Sequence, residues 1–161
     1  MKVLVLAPQP FYQERGTPIA VRLLCQILAE RDNMKLEVLS YAEGEKLQIP
    51  GVLIRRIRTF RWISGIRPGI SCKKILSDIV LFIETLMLVY RKWRDGEPYD
   101  LIHAVEESVF IAMFLKLCFG IPYIYDMDSL LSDQLVDRWR WLRALSPFLE
   151  FFEKQAVRRA A

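Results

Sequence analysis

"KVLVLAPQPFYQERGTPIAVRLLCQILAER", Lys2 to Arg31, is the stretch whose reading decides the fold. Its opening, Lys2–Pro8, is a short continuous apolar run closed by proline, as expected of a strand buried on both faces. Ile19, Leu23, Ile27 and Leu28 then recur at helical spacing, which predicts a helix from Thr17 to about Arg31. Thr17 suits the N-cap and Pro18 the first helical position. A loop ending in Gly16 joins the two elements. A glycine there lets backbone approach a ligand, and the first amides of a helix favour an anion. Gly16, Thr17 and the amides beyond Pro18 therefore suit a phosphate or a sugar hydroxyl, or they are only a turn and a cap. Neither GxGxxG nor GxxxxGK[ST] occurs, so the dinucleotide fingerprint and the P-loop are absent.

Working outward, "KLEVLSY" (Lys35–Tyr41) and "VLIRRIR" (Val52–Arg58) read as strands, the second after a Pro50-Gly51 turn. A long helix is predicted from about Ser71 to Arg94. "DLIHAV" (Asp100–Val105) is the next strand, followed by a helix from Glu106 to Phe119 that Gly120 stops. "YIYDMD" (Tyr123–Asp128) is a further strand. A short helix around Asp133–Arg143 and a last one from about Pro147 complete the chain. Strands alternating with helices indicate a parallel sheet with helices on both faces, in a single α/β domain. Ligands of such sheets bind beyond the carboxyl ends of the strands. That rule selects the loop Pro8–Gly16, the loop after Arg58, His103–Glu107 and Asp126–Ser129.

The chain has 161 residues, 53% of them apolar and 26% charged, enough for one domain with a proper core. Net charge is +4, and the sequence pI is near 9.0. Arg55, Arg56, Arg58, Arg61, Arg67, Lys73 and Lys74 follow one another with no acid among them, a cluster that attracts phosphates. Phe60, Trp62, Ile63 and Ile66 are interleaved with these cations, and "RWRWLR" (Arg138–Arg143) repeats the composition. Such interleaving suits a membrane interface or a solvated basic loop. No recognised nucleic-acid motif accompanies the charge, so no nucleic-acid partner is expected. Cys25, Cys72 and Cys118 form no metal-ligand pattern, which argues against zinc and fits a reducing, cytoplasmic setting. No signal-peptide pattern is visible, and the greasiest segment, Ile75–Tyr90, carries Asp78 and Glu84 and is too short to span a bilayer. Its apolar residues lie on more than one face of the helix.

Taken together, "MKVLVLAPQPFYQERGTPIAVRLLCQILAER", "IPGVLIRRIR", "YDLIHAVEESVFIA", "GIPYIYDMDS" and "FFEKQAVRRA" resemble the N-terminal domain of glycosyltransferase family 4, retaining enzymes of GT-B architecture. The match runs through nearly the whole chain in the right order. It implies a Rossmann-like domain that binds mainly the acceptor. The UDP- or GDP-sugar donor would be held chiefly by a second, C-terminal domain, absent from these 161 residues and supplied in cis or in trans. The chain itself would then bind no cofactor. Gly16 and Thr17 match the family's Gly-loop, beside the donor phosphates and the acceptor, with Arg15 adjoining. His103 matches the first His of a D-x-x-H-x-H pattern, but Val105 stands where the second His is usual. His103 and Asp128 are the resulting catalytic candidates. Arg15, Glu106, Glu107 and Asp126 are candidates for binding the acceptor. Arg55, Arg56, Arg58, Arg61, Trp62, Arg67, Lys73 and Lys74 would meet a phosphate or an anionic membrane surface. The acceptor would be lipid-linked or a polysaccharide, at the inner face of the membrane. The alternative is a non-catalytic Rossmann-like module that binds a membrane surface or a protein partner.

Overall fold

The computed structural model describes residues 1–59, 65, 71–127 and 146–161. Arg61, Trp62, Arg67, Asp128 and the expected short helix around 133–143 lie outside the described residues.

The elements run β1 (Lys2–Ala7), α1 (Gly16–Ala29), β2 (Lys35–Ser40), β3 (Val52–Arg56), α2 (Cys72–Arg94), β4 (Leu101–Val105), α3 (Val109–Phe119), β5 (Tyr123–Asp126) and α4 (Ser146–Arg158). A single 3₁₀ turn, Glu106–Ser108, joins β4 to α3. The five strands form one parallel sheet in the order β3-β2-β1-β4-β5, a Rossmann-like arrangement. The chain first steps outward from β1 to β2 and β3, then crosses back to β4 on the other side of β1. The strand order therefore reverses between β1 and β4.

The continuous apolar run of β1 is explained by its central place. Val3, Val5 and Ala7 point to one face, where they pack with Val21 and Cys25 of α1 and with Leu36 and Val38 of β2. Leu4 and Leu6 point to the other face, into a core shared with Leu81 and Val89 of α2, Ile111, Ala112 and Leu115 of α3 and Ala156 of α4. All five of these β1 and β2 neighbours of α1, like Leu4 and Leu6, are at most 3% exposed. Burial of Cys25 among them pushes its thiol up to about 11, which keeps it protonated at neutral pH.

Helix ends follow local chemistry. Ser71 caps α2, its Oγ accepting from the Lys74 amide at 3.2 Å. Gly120 ends α3 in the left-handed region, φ 71°. Helix α1 differs from the sequence expectation. Its N-cap is Arg15, Thr17 lies inside the first turn, and the Ile19 amide already bonds Arg15 O at 3.0 Å. Pro18, third in the helix, needs no partner for its missing N–H.

The loop from β1 to α1 is braced from outside. Tyr12 and Glu45 exchange backbone bonds of 3.3 and 2.9 Å. The Arg56 guanidinium donates to Phe11 O at 2.9 Å, to Gly44 O at 3.0 Å and to Glu45 O. Gly44 lies at φ +112°, and a Cβ there would meet Phe11 carbonyl carbon at 2.6 Å. Gly44→Ala should therefore destabilise the fold by about 1–3 kcal/mol. Gly16→Ala, whose new Cβ would meet nothing within 4 Å, should leave it nearly unchanged. Urea midpoints of the two variants measure this contrast.

Candidate functional site at the strand crossover

In an open parallel sheet, the crevice forms where the strand order reverses, at the carboxyl ends of the strands. Here that point lies between β1 and β4. It brings together the Pro8–Arg15 loop, the N-terminus of α1 and the Glu106–Ser108 turn.

Glu106 adopts φ 49°, a left-handed conformation unusual for a residue with a side chain. The consecutive carboxylates on either side of this turn take different partners. Glu106 faces α1, where its Oε1 accepts from Thr17 Oγ1 at 3.5 Å. Helix α1 has neither a side-chain cap nor an acid in its own first turn, so Glu106 supplies negative charge where the helix dipole favours it. Glu107 turns the other way and pairs with the Lys74 ammonium of α2. Ser108 Oγ fixes the turn by donating to Val105 O at 2.7 Å and lying 3.2 Å from Leu6 O.

Lys74 is the centre of a buried polar cluster. Its side chain is 13% exposed and that of Glu107 14%. The ammonium also donates to Pro8 O at 3.3 Å and to Tyr41 Oη at 3.4 Å, and lies 5.6 Å from the centroid of the Tyr41 ring. Tyr41 in turn donates to Asp78, one turn beyond Lys74 on α2. Burial lowers the Lys74 pKa, and the charges of Asp78 and Glu106 oppose that effect. Burial raises the Asp78 pKa, opposed by Lys74 and by the Tyr41 hydrogen bond. The Tyr41 phenol is driven up by burial and then by Asp78, so it stays protonated, donating to Asp78 while accepting from Lys74.

An apolar groove of about 330 Å³ opens beside this cluster, between α2 and α3. Ile75, Ile79, Phe82 and Ile111 form its walls, and Pro8, Asp78 and Glu107 stand at its polar end. On the opposite face of the sheet, His103 Nε2 lies 3.3 Å from Asp126 Oδ2. Gln9 Nε2, in the loop after β1, is buried with no hydrogen-bond partner among the described residues. It is a donor that a ligand oxygen would satisfy.

The sequence-predicted residues thus divide. Gly16, Thr17 and Glu106 stand together at the crossover with Arg15 capping the helix beside them, whereas Glu107 is committed to Lys74. His103 is in the middle of β4, paired with Val5 and Ile124, and not at the strand's carboxyl end. Its partner Asp126 does end β5. The basic cluster is not one surface. Arg56 is committed to backbone carbonyls, Arg55 to Glu37, and Lys74 to the buried cluster. Arg58 and Lys73 keep exposed side chains. Tyr41 and Asp78 escaped sequence reasoning. The available signal was phase: Lys74 and Asp78 are four residues apart and flank the buried row Ser77, Leu81, Thr85 and Val89.

These features define an α/β domain with a polar, partly preformed crevice at its crossover and an apolar groove leading away from it. No protein-family model matches the chain, and no curated protein matches it. Among the described residues, no group of three or more His, Cys, Asp or Glu is placed to hold a metal ion.

Lys74→Ala should cost about 3–5 kcal/mol, because it strands Glu107 and Asp78 without their cation. Lys74→Met combined with Glu107→Leu should recover most of that loss in chemical denaturation. A second expectation concerns pH. The folded Asp78 pKa lies above its ordinary 3.8, so the native state holds this proton more tightly than the unfolded chain. The stability contributed by the protonated form is present below pH 3.8 and is lost as pH rises through the folded pKa. Asp78→Asn should remove that decline from a plot of urea midpoint against pH.

Proposed function

We propose that this chain is the acceptor-side domain of a retaining glycosyltransferase that works on a lipid-linked or polysaccharide acceptor. The observation that carries the reading is the convergence of Gly16, Thr17 and Glu106 where the parallel strand order reverses. Its other support is the sequence resemblance to glycosyltransferase family 4. A UDP- or GDP-sugar is delivered by a second α/β domain, in cis or in trans, and faces the N-terminus of α1.

Each residue then has a task. Gly16 leaves open space beside its α-carbon, so sugar or phosphate reaches the helix backbone without a side chain between. The dipole of α1 stabilises negative charge as the nucleotide diphosphate leaves. Glu106 accepts hydrogen bonds from acceptor hydroxyls, while Glu107, held by Lys74, keeps the turn in place. The His103–Asp126 pair, on the face away from Lys74, orients a further hydroxyl. Catalysis comes mainly from holding the reactants in place.

The test is transfer from UDP- and GDP-sugars to polyprenyl-diphosphate saccharides, with this chain paired to its donor domain. Gly16→Val should lower turnover by about a hundredfold or more while leaving circular dichroism unchanged. Unchanged turnover would remove the loop from the site. Titration calorimetry of the chain alone should show no nucleotide binding. Tight binding there would replace the half-enzyme reading with a self-sufficient nucleotide-binding domain.

A further inference from the structure

Helix α2 is apolar on its outer face as well as on the face that packs on the core. The row it turns toward the sheet is Ser77, Leu81, Thr85 and Val89. The Ser77 and Thr85 hydroxyls satisfy themselves on the helix backbone, at Lys73 O and Leu81 O. The row it turns outward is Ile75, Ile79, Ile83, Met87 and Tyr90, each 44–51% exposed. Trp93, 53% exposed, extends the row and stacks on Tyr90 with centroids 6.3 Å apart. The acids of this span turn away from the outer face. Asp78 meets Tyr41, and Glu84 accepts from the Arg58 amide at 2.7 Å. Phe114 and Leu117 of α3, 38% and 66% exposed, widen the patch. An ordinary surface helix has the opposite polarity.

We propose that the outer face of α2 lies flat on an anionic lipid bilayer. A helix of 23 residues is about 34 Å long, and its apolar row runs along most of that length. Exposed cations stand at both ends: Lys73 at the start, Arg91 and Arg94 at the finish. Tyr90 and Trp93 put amphipathic rings at one end, where a headgroup boundary accommodates them. No helix among the described residues is long and apolar enough to cross a membrane, so the face lies on the bilayer rather than in it. Charge also argues against a second copy of the chain. A two-fold pairing of α2 on α2 sets cations together either way: Lys73 against Arg91 and Arg94 if the helices run antiparallel, each against its own copy if they run parallel. Anionic headgroups reverse that repulsion.

The inference rests on the transferase reading only for the membrane-borne position of the acceptor. Docking is measured without any transfer, so the two fail separately. The experiment is co-sedimentation with phosphatidylcholine vesicles, with and without phosphatidylglycerol. The wild-type chain should bind the phosphatidylglycerol vesicles, and less as salt is raised. Ile79→Asp with Ile83→Asp should weaken binding about tenfold or more, with circular dichroism unchanged. Ile79→Ser with Ile83→Ser, the milder pair, should weaken it in the same direction. Absent binding, or equal binding by both variants and wild type, overturns the proposal. So does a concentration-dependent dimer in sedimentation equilibrium that the Asp pair dissolves, because the face would then belong to a second copy.

Discussion

The buried ammonium of Lys74 ties four separate parts of the chain together at one point. It starts on α2, touches Pro8 O at the end of β1 and Tyr41 just past β2, and pairs with Glu107 just past β4. Taking a cation out of water costs several kcal/mol, and each partner repays part of that cost. The arrangement is therefore intolerant of half measures. Losing any one partner leaves another charge stranded. What it contributes is definition: it sets the position of α2 over the strand ends, and so the height of the groove wall above the crevice.

The same tie explains why two adjacent glutamates serve different faces. Glu107 is drawn toward Lys74, and the chain can satisfy it only by turning sharply at Glu106. The left-handed backbone of Glu106 is the local cost. Its return is a carboxylate at the uncapped N-terminus of α1.

How far these features could be read in advance depends on their range. The apolar run of β1, the helical spacing of α1 and the stop at Gly120 are local, and the parallel sheet they imply is the one found. The order of its strands was not read in advance, because it is set by pairing between residues far apart in the chain. Sequence grouped His103 with the strand end because Val105 and Glu106 follow so closely, yet in β4 it is the third of five residues and pairs with Val5 and Ile124. It took Arg55, Arg56 and Lys74 as one charged surface, because contiguity in the chain does not say which cations meet a partner. Arg56 in β3 reaches the loop after β1, a contact 45 residues away. The α2 stripe was legible as apolar on more than one face, but periodicity alone could not say which face the sheet would take.

The brace around the β1–α1 loop has a thermodynamic consequence. Loops that surround ligands commonly surrender conformational entropy when they close, and affinity falls by that amount. Here Arg56 clamps carbonyls from both the loop and its neighbour, and Gly44 allows the two backbones to touch. That ordering is complete once the chain has folded. A molecule arriving at Gly16 meets a surface already set, so discrimination there is a matter of shape and charge, with little induced closure to select or reject.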